Sequence, residues 1–173
     1  MKNHNGMRPQ DVVILLKLST MNIDNIRFAD LAESLKISAS EVSESLERSR
    51  MARLVSEDKR ELYRSSFMDF LIYGLKYVFP ASPGAMVRGL ATAHSAPPLN
   101  TIITSQSDLF VWSTAKGATR GQAIVPLYKT VPEAAIKDAK LYELLALADA
   151  IRVGRVREVN IAIEELKKRI NPV

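Results

Sequence analysis

Side chains suited to nucleophilic or metal chemistry are scarce in this 173-residue chain, which holds two histidines and no cysteine. His94, in "TAHSAPP", adjoins Ser95, but catalysis needs the hydroxyl within hydrogen-bond reach of the imidazole, which adjacency does not supply. It reads as a loop histidine bonded to backbone or solvent, and His4 belongs to a start read as disordered. No Gly-x-Ser-x-Gly elbow, His-Glu-x-x-His pair or suggestively spaced carboxylates occur in the apolar segments. No metal site, no cofactor and no enzymatic activity are therefore expected. "TAKGATRGQ", Thr114 to Gln122, offers an anion its backbone amides with Lys116 and Arg120. It lacks the spacing of a phosphate loop and reads as a hairpin turn. Met86, Trp112 and Tyr128 fit a ligand pocket no better than they fit a packed core.

The remaining chemistry is charge recognition. A formal net charge of +5 fits nucleic acid or another polyanion as partner. Between Asp69 and Glu133 the only acidic residue is Asp108, whereas Lys76, Arg88, Lys116, Arg120 and Lys129 all lie there. At 47% hydrophobic residues the chain can bury a core and is expected to be globular. Its apolar runs fall short of the roughly 18 residues of a membrane span, so no membrane partner is expected. No secretory signal is read at the start, and the absence of cysteine fits a cytoplasmic setting.

These residues need elements to position them. Pro9 opens a first helix, with Asp11 at its positive end and Val12, Leu15 and Leu16 on one face. "TMNIDNIRF" reads as a connection ending in a short extended piece. A second helix runs from Phe28 to about Leu35, turning Leu31, Ala32 and Leu35 inward. "KISAS" is a turn whose Ser38 or Ser40 caps a third helix, about Ser40 to Arg53, that buries Val42 and Leu46. Ser38 and Glu41 stand at capping-box spacing. "RLVSEDKRELY" reads as a short charged hairpin. "SFMDFLIYGLKYVF" reads as a connecting buried helix over 66–79, with Ser65 or Ser66 as its cap. "PASPGAMVRGLATAHSAPPLN" is expected to be irregular but packed. "TIITSQSDLFVWS" and "GQAIVPLY" read as short strands, followed by a small helix opened by Pro132 and Glu133. A strong helix, "AKLYELLALADAIR", then breaks near Gly154. The last helix stripes Val156, Val159, Ile163, Leu166 and Ile170 along one face, a core seam or a dimer seam.

The order helix, short strand, helix, turn, helix, hairpin, carried by "LAESLKISASEVSESL", resembles the winged helix-turn-helix of MarR-like and ArsR-like bacterial regulators. Leu31 with Ala32, Leu35 with Ile37, and Val42 with Leu46 match the apolar pairs of that motif. Three positions depart from it. Lys36 and Arg53 stand where the family often has Gly, and Ser49 where a Leu usually packs. The resemblance covers roughly residues 9–65, and with the elements read beyond it the chain is expected to have a mainly α fold with small β elements. It divides into a winged helix-turn-helix over 9–65, the connecting helix over 66–79 and a C-terminal α+β extension over 80–173 that ends in helices.

The resemblance also implies a transcriptional regulator that binds double-stranded DNA as a homodimer. Its third helix would lie in the major groove. Ser38, Ser40, Ser43, Glu44, Glu47 and Arg48 are the candidate contacts there, with Lys59 and Arg60 on the wing. Ser and Glu side chains can read base edges, yet Glu41, Glu44 and Glu47 oppose the phosphates. The alternative is a protein-interaction module, an antitoxin or adaptor, whose acidic helix meets a basic protein partner.

Overall fold

The computed structural model describes residues 5–104 and 108–171. Leading the chain is α1 (Pro9–Ser19), with Pro9 at its first position, where a missing N–H costs nothing. Its apolar residues are buried on every side and not only on one face: Val12 to Leu16 are each 0% exposed. Burying such a side chain contributes roughly 1.5–3 kcal/mol. The reason is tertiary, since α1 packs against α2 (Phe28–Leu35), α3 (Ala39–Met51) and, from the other half of the chain, α8 (Ala139–Val153). One hydrophobic cluster accordingly runs through all three expected segments.

Between α1 and α2 lies a 3-10 turn, Ile23–Asn25, after which Arg27 is extended, as expected for the end of this connection. After α3 the chain makes a minimal hairpin. Val55 and Leu62 form one antiparallel bridge, and the Ser56 N–H donates to the Glu61 carbonyl at 2.9 Å.

The single buried helix expected over 66–79 is two helices, α4 (Arg64–Tyr73) and α5 (Leu75–Val78), meeting at Gly74. Phe67, Met68, Leu71 and Leu75 face the core, but Tyr73 and Tyr77 are each 73% exposed. A segment apolar nearly all round thus has one open face, because the core covers only the other.

The Pro-rich segment is less irregular than its composition implies. It contains β1 (Met86–Ala91), a 3-10 turn at Ala93–Ser95 and α6 (Leu99–Ile102), so "TII" starts as helix and not strand. β2 (Phe110–Ser113) and β3 (Thr119–Ala123) both pair antiparallel with β1, and they pair parallel with each other. "TAKGATRG" therefore spans a crossover inside a closed three-stranded cycle and is not a hairpin turn. Closure at this size needs missing side chains. A Cβ on Gly89 would fall 1.9 Å from the Trp112 carbonyl oxygen, and one on Gly117 2.0 Å from the Gly89 carbonyl carbon.

α7 (Val131–Lys137) leads into α8, whose N-cap Asp138 accepts the Leu141 N–H at 3.1 Å. α9 (Val156–Ile170) packs along α8 and buries Ala162, Leu166 and Ile170. Of its expected stripe, Leu166 and Ile170 are buried and Ile163 packs half-buried on the core, whereas Val156 is 78% exposed. The chain is mainly α-helical with a small sheet. Among the described residues no helix is long and apolar enough to cross a membrane.

Candidate nucleic-acid interface

The turn between α2 and α3 depends on one left-handed residue. Lys36 takes φ 55° at the end of α2, Ile37 is buried behind it, and Ser38 follows in extended conformation as the N-cap of α3. The Ser38 hydroxyl accepts the Glu41 N–H at 3.2 Å and lies 3.2 Å from the Ser40 hydroxyl. Only half of the expected capping box forms. The Glu41 carboxylate turns away from Ser38, accepting from the Arg48 guanidinium at 2.6 Å and the Gln10 amide at 3.1 Å.

Arg48 is the clearest correction to the expected contact set. It is 8% exposed and points into the protein, where its guanidinium donates to both carboxylate oxygens of Asp11 on α1 at 2.8–3.2 Å. Asp11 is fully buried. Its hydrogen bonds, followed by the opposing effect of burial and the bond to Glu41, leave the Arg48 pKa raised. Partial burial works against the Glu41 carboxylate, but the bonds from Arg48 and Gln10 outweigh it and hold its pKa below the ordinary range. Arg48 is thus a buried tie between α1 and α3 and presents no guanidinium to a groove. The sequence did carry a signal. Ser45 and Ser49 flank Arg48 on the same helical face, both are fully buried, and small neighbours leave room for a long side chain to turn inward.

Glu47 is also engaged internally. Its carboxylate accepts from the Arg50 Nη2 and Nε at 2.8 and 3.1 Å and meets the Lys59 ammonium at 2.8 Å. The hydrogen bonds from Arg50 and Lys59 hold its pKa down to about 2. Arg50 in turn reaches Glu57 at 2.9 Å. This cluster clips the 55–62 hairpin to the flank of α3, so Lys59 and Glu47 serve each other. At the hairpin tip Lys59 has φ 63°, and the Asp58 carboxylate accepts from the Ser56 hydroxyl and the Arg60 N–H.

Of the remaining candidates, Ser38, Ser40, Ser43, Glu44 and Arg60 are exposed. The Glu44 side chain is 60% accessible, with Arg48 3.9 Å away. Lys36 and Arg53 are exposed as well, and Arg53 also has a positive φ, of 60°. The two positions where Gly was the expected residue therefore both adopt the left-handed backbone. Ser49, at the usual Leu position, is sealed in with its hydroxyl unpartnered. Two clefts flank this region. Leu18, Met21, Arg60, Tyr63, Arg64, Ser65 and Ser66 line one, and the other holds Lys17, Asp30, Glu33, Lys36, Lys137 and Asp138.

In the second half the sequence reading missed a buried polar hub. Asp149 on α8 is 1% exposed and accepts from the Thr92 hydroxyl (2.8 Å), the Trp112 indole (2.7 Å) and the Arg152 guanidinium (2.8 Å). Burial raises its pKa against the pull of Arg152 and these hydrogen bonds. Arg152 also donates to the carbonyls of Phe79 and Val125, which ties the end of α5 to the segment after β3. Trp112 is thus a core residue, whereas Met86 is 54% exposed. His94 is buried and not in an open loop. It packs edge-on against Phe110 with ring centroids 4.8 Å apart, and its Nδ1 has no partner. The Ser95 hydroxyl accepts the Phe110 N–H. His4 lies outside the described residues. Among the described residues no group of three His, Asp or Glu side chains is placed to hold a metal ion. No family model, curated protein or solved structure matches the chain.

Proposed function

We propose that this chain is a DNA-binding transcriptional regulator of the winged helix-turn-helix kind, acting as a homodimer on double-stranded DNA. The observation that carries the reading is the internal pairing of Glu41 with Arg48 and of Glu47 with Arg50 and Lys59. That pairing removes most of the repulsion an acidic third helix would feel from phosphates. The outward residues of α3 are then Ser40, Ser43 and Glu44, beside the cap Ser38. Short hydroxyls bond bases or phosphates, and Glu44 can accept from cytosine N4 in the major groove. Lys36 before the helix and Arg60 on the wing supply phosphate contacts.

The homodimer reading draws on the open face of α4 and α5. Tyr73, Tyr77 and Val78 are exposed there, with Asp69 and Lys76 beside them and without a close ion pair among the described residues. A two-fold antiparallel contact centred near Tyr73 sets Asp69 of one copy against Lys76 of the other. Tyr73 lies nine residues, about 14 Å of helix, beyond the wing end of α4. The first turns of α4, where each wing ends, then stand about 27 Å apart.

Fluorescence anisotropy with a duplex taken from immediately upstream of the chain's own coding region tests the reading, with a scrambled duplex as control. Preferential binding to the upstream duplex is expected, weakening with salt and reduced by Ser43→Ala or Arg60→Ala. A flat salt dependence, or no binding at 50 mM salt, rejects the reading.

A further inference from the structure

The Arg88, Lys116 and Arg120 cations take no part in the reading above, yet the fold gathers them. Arg88 and Arg120 are directly opposed partners across β1 and β3, so their side chains leave on one face, with Cβ atoms roughly 5 Å apart. Like charges in that position repel, and among the described residues no carboxylate lies within ion-pair distance of either. The Arg88 Nε donates to the Gly117 carbonyl at 2.7 Å, which holds its guanidinium beside the turn carrying Lys116. Lys116 has one loose partner, Glu133 at 4.0 Å.

Glu133 leads to the interface already described. It sits in the first turn of α7, and Thr130, just before that helix, donates its hydroxyl to the Leu35 carbonyl at 2.7 Å. Leu35 precedes Lys36, and Thr130 follows the exposed Lys129. Through these neighbours the exposed Lys36, Lys129, Lys116, Arg88 and Arg120 follow one another along adjoining segments of the fold. The acidic neighbours of this row are Glu133 and, in the cleft beside Lys36, Asp30, Glu33 and Asp138, the last paired with Lys17.

We infer that the β1–β3 face is a second phosphate-backbone contact, gripping the duplex that flanks the site read by α3. A row of cations fits a linear polyanion better than a single phosphate, and its start at the turn before α3 places that polyanion on the same duplex. The contact is sequence-independent: it adds affinity and salt dependence but no preference among bases. This inference rests on the DNA-binding reading.

The test uses the full chain, a 40-base-pair duplex of random sequence, and anisotropy titrations from 50 to 300 mM salt. Lys116→Gln with Arg120→Gln is the informative variant, because among the described residues neither side chain donates a hydrogen bond; Arg88→Gln is then added. Two lost phosphate contacts shrink the slope of log affinity against log salt by about 1.8 and weaken binding at 50 mM by more than tenfold. The ratio of upstream-duplex to random-duplex affinity stays unchanged. A wild-type slope in the double variant, alongside a reduced slope in Lys36→Ala, overturns the second contact and leaves the α3 reading standing. No DNA binding by the unaltered chain overturns both. Unchanged DNA binding with weakened binding to phosphatidylserine vesicles overturns the inference in favour of a membrane surface.

Discussion

Helix α3 and the β1–β3 face carry charge in opposite ways. On α3 the charged residues are paired with partners inside the fold: Arg48 with Asp11 and Glu41, and Glu47 with Arg50 and Lys59. On the sheet, Arg88 and Arg120 stand side by side with no carboxylate at ion-pair distance among the described residues. The first arrangement fixes a helix in place, and the second leaves charge unsatisfied at the surface. Counting charges along the chain cannot separate the two, because an acidic helix and a basic sheet differ functionally only in what their side chains already touch. The region around α3 is electrostatically quiet, and the unpaired positive charge lies elsewhere.

The largest expected effect breaks the pairing on α3. Asp11→Ala leaves the buried Arg48 guanidinium with Glu41 as its remaining close partner, and stability falls by about 3–5 kcal/mol. Urea unfolding followed by circular dichroism measures it, with Asp11→Asn as a milder control. A loss below about 1 kcal/mol would show that Arg48 escapes to solvent and that α3 is not tied to α1.

A smaller effect of opposite sign comes from the left-handed positions. Lys36→Gly relieves a backbone that glycine adopts freely, so stability rises by about 1 kcal/mol, while one cation of the row is lost. Arg53→Gly gives a similar gain without touching that row. Thermal melts should therefore place both variants above the parent, with DNA affinity reduced only in the first. A parallel change in affinity would show that the row does not begin at Lys36.

The smallest effect is titration of the clip between α3 and the wing. Glu47 is depressed to about 2 from an ordinary 4.5, so its contribution is complete above pH 4.5 and is lost as pH falls through about 2. Glu41, also depressed, loses its contribution in the same direction. Asp149 has the opposite sign, because burial raises its pKa and the folded state takes up its proton more readily. Glu47→Gln should flatten the acid limb of a stability–pH curve between 4.5 and 2. An unchanged limb would mean that the wing is not held by this carboxylate.

Much of the N-terminal half was legible in the sequence. The bounds of α2, a serine cap at Ser38 or Ser40 and the inward Leu31, Leu35, Val42 and Leu46 follow from local periodicity and capping chemistry, which short stretches carry by themselves. The placement of Ser40, Ser43 and Glu44 outward follows from the same helix period. The roles of Arg48, Glu47 and Lys59 were not legible. Each depends on a partner from another element, and Arg48 meets Asp11 across 37 residues of chain.

The second half shows the same division more sharply. Its last three helices were readable from apolar spacing, from Pro132 and Glu133 and from the break near Gly154, whereas α6 was read as strand. β1 was hidden in a segment whose prolines and glycines signal irregularity, because Gly89 is there to let strands approach and not to turn the chain. The parallel pairing of β2 with β3, the Asp149 hub and the opposition of Arg88 to Arg120 are all long-range. The sequence by itself determined the helical class of this protein, the faces its helices bury and its excess of positive charge. Tertiary structure decided which charges are neutralised and which stay free, since an ion pair depends on distances of a few ångströms that no local pattern encodes.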